Sequence, residues 1–145
     1  MALRQGSSSN APTLKLDGIR VATTWADIVG SAGAVPTLVA TPTSLSGFTY
    51  LQGSGPSASQ SYNLSGTDLT GFPTSILVTG STNYEVSLDN TAFAASVNVP
   101  ITSATLAATP IHVRLKAGLA AGNYNGETIT NVGGGASTNF TCSGT

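Results

Sequence analysis

Beyond residue 36, apolar and polar residues alternate in short runs. A period of two predicts strands, because successive side chains on a strand point to opposite faces. The strictest run is Ile111-His112-Val113-Arg114-Leu115-Lys116. Asn83-Tyr84-Glu85-Val86-Ser87-Leu88 repeats the pattern and stops at Asp89-Asn90, while Gln60-Ser61-Tyr62-Asn63-Leu64 stops at Ser65-Gly66. Ser75-Ile76-Leu77-Val78-Thr79 is a compact apolar strand. Further strands are predicted at 37–40, ended by Pro42, at 47–51 along a sheet edge, and at 96–101, 128–130 and 138–143. Gln52-Gly53-Ser54-Gly55-Pro56 and Gly133-Gly134-Gly135 read as turns. Two packed sheets are expected to bury the inward side of 111–115, namely Ile111, Val113 and Leu115, against residues such as Val86, Leu88 and Phe140.

Before residue 36 the pattern changes. Residues 1–12 are polar and read as an arm. Leu14 and Leu16, then Ile19 and Val21, flank Asp17-Gly18, a hairpin signal. Residues 25–29, from Trp25 to Val29, suit a short strand or a helical turn, and 30–34 is a linker of small residues. A boundary falls near Pro36. It divides an N-terminal anchoring segment, 1–35, from a domain at 36–145.

Composition narrows the function more than the fold. The chain has 145 residues, 40% of them hydrophobic and only 8% charged, with a net charge of −1. Ordinary soluble domains are roughly 25% charged. Nucleic acid is not an expected partner, because phosphate contacts need clustered Lys and Arg and the chain has five in all. No apolar run is long enough to span a membrane, and none follows the N-terminus as a signal peptide would. Solubility rests on Ser and Thr hydroxyls, and a surface this close to neutral is prone to association.

From Pro36 to Thr145 the chain resembles an immunoglobulin-like β-sandwich repeat of large secreted, multidomain bacterial surface proteins. The resemblance rests on Leu45-Ser46-Gly47-Phe48-Thr49-Tyr50, Gly53-Ser54-Gly55-Pro56-Ser57, Gln60-Ser61-Tyr62, Leu64-Ser65-Gly66 and Asn83-Tyr84-Glu85-Val86-Ser87. It continues through Val113-Arg114-Leu115-Lys116-Ala117-Gly118-Leu119, Gly122-Asn123-Tyr124-Asn125-Gly126 and Ser143-Gly144. It implies an all-β, immunoglobulin-like antiparallel sandwich of about seven strands, with no catalytic residue to carry over. Residues 1–35 are additional to that pattern.

Candidate chemistry is sparse. His112, the only histidine, shares one strand face with Arg114 and Lys116. That face reads first as solvated, and second as a small basic stripe that grips a carboxylate or a sugar. Zinc takes three or four His or Cys ligands, and the chain holds only His112 and Cys142. No metal or cofactor is therefore expected. A hydrolase triad would have to use His112 as its base, and no Gly-x-Ser-x-Gly turn occurs. Cys142 reads as a small buried hydrophobe facing the same way as Phe140. Phe48, Tyr50, Tyr62, Tyr84 and Tyr124 suit packing better than a sugar-binding surface. Trp25, the only tryptophan, is the best interface anchor, together with Leu14, Leu16 and Ile28.

These readings predict a non-enzymatic accessory subunit of a protein assembly, in the most concrete form a bacteriophage capsid or tail decoration protein. Residues 1–35 would bind neighbouring subunits, and the sandwich would face outward and bind cell-surface glycans weakly. It would be made in the host cytosol and reside on the virion surface. The alternative is an extracellular adhesion or carbohydrate-binding module of a secreted surface protein.

Overall fold

A computed structural model describes residues 33–145; the candidate anchors Leu14, Leu16, Trp25 and Ile28 lie outside the described residues. Nine strands follow in order: β1 (Thr37–Thr41), β2 (Ser44–Phe48), β3 (Gln60–Thr67), β4 (Thr74–Thr79), β5 (Tyr84–Ser87), β6 (Ser96–Ile101), β7 (Leu106–Leu115), β8 (Glu127–Gly133) and β9 (Ala136–Gly144). They form a four-stranded sheet, β1-β3-β7-β5, and a five-stranded sheet, β2-β9-β8-β4-β6. There is no helix among the described residues. The protein is an all-β sandwich, and Ala34–Thr145 is a compact unit of its own.

Alternation sets the inner faces. Ile111, Val113 and Leu115 of β7 are buried, as are Ile76 and Val78 of β4, Ile129 of β8, and Phe140 and Cys142 of β9. Fully burying each large aliphatic side chain stabilises the fold by roughly 1.5–3 kcal/mol. Two tyrosines tie the sheets together. Tyr62 of β3 stacks on Phe140 of the opposite sheet, with centroids 4.1 Å apart. Its hydroxyl donates to Asn131 Oδ1 on β8 at 2.7 Å. Tyr84 of β5 meets Phe48 of β2 edge-on at 5.2 Å, and its hydroxyl donates to the Tyr124 carbonyl at 2.9 Å.

The structure departs from the sequence reading in several places, and β7 begins at Leu106, ahead of the run read at 111–116. Strands number nine rather than about seven. The sandwich is not wholly antiparallel, because β2 runs parallel to β9. The chain leaves the four-stranded sheet at Pro42, which has no N–H to donate to a ladder, and joins the other sheet as its edge strand. That edge strand is Ser44–Phe48, and residues 50 and 51 lie in the following loop. Leu88 is not in the core. It sits one residue past β5 and is 37% exposed, because the Asp89-Asn90 turn carries it out of the sheet.

The first and last strands place the ends of the domain at opposite poles. At the entry pole, Pro36 lies beside Gly135 of the β8–β9 turn. At the far pole, the Gly144 carbonyl accepts from Tyr124 N, and Thr145 N donates to the Phe48 carbonyl. The nine residues of β9, at about 3.4 Å each, separate the poles by roughly 30 Å.

Candidate functional site

The basic stripe forms on the outer face of the four-stranded sheet, where β7 runs between β3 and β5. His112 stands in register between Ser61 of β3 and Ser87 of β5, and is half-buried. Arg114 is opposite Glu85, and its Nε donates to Glu85 Oε1 at 2.7 Å. The guanidinium also lies 3.8 Å above the centroid of the Phe93 ring, a geometry that favours a cation. Lys116, one residue past β7, donates from Nζ to the carbonyls of Ser81 and Thr82 at 2.9 and 2.8 Å. His112 and Arg114 thus share the outer face of β7, Lys116 lies just past its end, and Arg114 Nε and Lys116 Nζ both donate within the domain. Together they fasten β5 and its flanking loops to the sheet.

Beside Lys116 is a polar cluster that the sequence reading did not single out. Glu127 begins β8 and accepts from both Asn83 N and Asn83 Nδ2, at 3.0 and 2.6 Å. Burial alone would push its carboxyl up. Hydrogen bonds from Asn83 and Ser81 and the nearby Lys116 charge outweigh that, and hold it below the usual carboxylate value. Glu127 and Asn83 are 44 positions apart, so no local motif announces the pair.

Ser87 and His112 are neighbours, as a nucleophile and its base would be. Yet the Ser87 hydroxyl donates to Asp89 Oδ1 at 2.9 Å. Asp89 Oδ1 also caps the backbone N–H groups of Thr91 and Ala92, both at 2.9 Å. These bonds to its ionised form hold the Asp89 carboxyl well below the usual carboxylate range. The arrangement closes a turn, and Asn90 takes the left-handed conformation within it (φ 60°).

The remaining candidates are placed by the core. Phe48, Tyr62 and Tyr84 are buried, while Tyr50 and Tyr124 pack half-buried against the core at the far pole. Burial pushes the Tyr62 and Tyr84 hydroxyls well above their ordinary value. Burial, with the Glu127 charge adding to it, pushes the Cys142 thiol up to about 12. Among the described residues, no three His, Cys, Asp or Glu side chains converge as a metal site would require. No family model and no curated protein matches the sequence.

Proposed function

We propose that this protein is a non-enzymatic accessory subunit of a larger assembly, in its most concrete form a bacteriophage virion decoration protein. On this reading residues 1–35 anchor it and an immunoglobulin-like sandwich is carried outward. The observation that carries the proposal is the placement of the two ends of a self-contained sandwich at opposite poles. A domain entered at one pole presents the other, with its Tyr50 and Tyr124 loops, away from its attachment.

Strand order supports the immunoglobulin-like reading. β1-β3-β7-β5 facing β9-β8-β4-β6 follows the spatial order of immunoglobulin-type sheets. The connections differ, since the chain visits β5 in one sheet before returning to β6 beside β4. The surface chemistry supports a structural role: the Ser87 hydroxyl is turned to Asp89 rather than to His112, and Arg114 and Lys116 hold β5 and the loop before it.

The same opposed poles also suit a module in a row of extracellular domains, which is the second reading. Substitution of the anchor separates the two. In the full chain, Trp25→Ser combined with Leu14→Ser removes two of the four expected apolar anchors. An accessory subunit loses its higher-order assembly in this variant, followed by light scattering, while in the unsubstituted chain the emission of Trp25, the only tryptophan, shifts to the blue on assembly. Unchanged scattering in the double variant overturns the anchoring role and favours the tandem module.

A further inference from the structure

Charge is segregated between the two outer faces of the sandwich. Glu85, Arg114 and His112 lie on the outer face of the four-stranded sheet. Asp68, Asp89 and Lys116 lie in loops or just past a strand end, and Glu127 is turned to Asn83. No outward position of the five-stranded sheet carries an ionisable side chain. At its middle, Leu77 of β4 pairs with Val132 of β8, and they are 43% and 53% exposed. The row continues with Asn98 on one side and Ser137 on the other. The next row toward the far pole includes Thr130 and Asn139, again uncharged.

We propose that this face is a self-association surface, on which two copies of the sandwich pack sheet to sheet around Leu77 and Val132. Charge selects the occupant. With Arg114 and Lys116 against Asp68, Glu85, Asp89 and Glu127, residues 33–145 carry a net charge of −2. Two identical, like-charged domains meet at least cost where neither must bury an ion. A partner of opposite charge would instead seek the charged face. Packing of two pleated faces also suits side chains this short and uniform.

Area sets the strength. Five strands about 4.8 Å apart, each about six residues long, make a face of roughly 24 by 20 Å. Pairing two such faces buries on the order of 1,000 Å², the lower limit for a specific interface. The pair is therefore weak in a free chain and becomes significant where anchoring raises the local concentration. The face is built from strands lying between Ser44 and Gly144, so this pairing is tested separately from the anchoring role.

Sedimentation equilibrium of residues 33–145, which hold both sheets and their shared core, tests the pairing directly. The mean mass is expected to climb toward twice the monomer as concentration rises through the micromolar range. Leu77→Lys or Val132→Lys should weaken this association at least about tenfold, because each buries a charge without a partner. Val39→Lys, on the outer face of the other sheet and at a similarly exposed position, should leave it unchanged. A strictly monomeric domain, or self-association indifferent to both lysines, overturns the proposal. Should the shortened chain fail to fold, the full chain with and without Leu77→Lys gives the same comparison.

Discussion

Cys142 and Tyr62 carry the residue-scale predictions because each is buried in the contact between sheets. The thiol lies on the same buried face of β9 as Phe140, with no exposed surface, and burial pushes its pKa up to about 12. The thiolate is the reactive form. An aromatic disulfide reagent at mildly alkaline pH should therefore not modify the native protein, and should modify one thiol per chain once the protein is denatured. Rapid reaction of the native protein would show that the end of β9 is open. Tyr62→Phe removes the donor to Asn131 Oδ1. Asn131 would keep only its Nδ2 bond to the Thr138 carbonyl, and leaving its buried oxygen unpaired should cost about 1–3 kcal/mol in urea denaturation. No loss would mean that the Tyr62–Asn131 bond does not contribute to holding the sheets together.

Strands are the scale at which the sequence was most readable. Residues 75–79 and 111–116 were legible because a strict period of two coincides with burial: every second residue of each meets the opposite sheet. The first half of β7 was hidden. Leu106 to Pro110 lacks alternation, and Pro110 argues against a central strand, yet the pairing with β3 runs through it past a bulge between Leu64 and Gly66. Parallel pairing of β2 with β9 was unreadable for a different reason. It joins residues nearly a hundred positions apart, and no local pattern encodes such a partner. Leu88 fails instructively: it keeps the alternation but not the strand, since the Asp89 turn overrides the pattern one residue earlier. The Gly133 turn gives a test at this scale. A Cβ there would lie 2.6 Å from the Ser75 carbonyl oxygen and 2.7 Å from Ile76 Cα. Both are backbone atoms of β4 and cannot swing aside. Gly133→Ala should lower the unfolding free energy by about 1–3 kcal/mol. Gly122→Ala, whose nearest neighbour is the Tyr124 hydroxyl at 3.8 Å, should be close to neutral. Equal thermal stability of the two variants would contradict the close β8–β4 contact.

The candidate site was legible as a surface but not as a network. Alternation placed His112, Arg114 and Lys116 on one face; His112 and Arg114 share the outer face of β7, and Lys116 lies one residue past its end. It did not reveal that Glu85, Phe93 and the carbonyls of Ser81 and Thr82 occupy the cations, because those partners are distant in sequence.

At the scale of the whole molecule, three features belong together: a sandwich with its own core, domain ends at opposite poles, and an uncharged outer sheet. On the proposed reading, residues 1–35 bring copies or partners together, and the neutral sheet is a weaker contact between sandwiches already held close. Light scattering during size-exclusion chromatography, on the full chain and on residues 33–145, tests that division most directly. The full chain is expected to run as an assembly, and the shortened chain as a folded species no larger than a dimer. The same number of copies per particle for the two would contradict the account, since residues 1–32 would then contribute nothing to assembly.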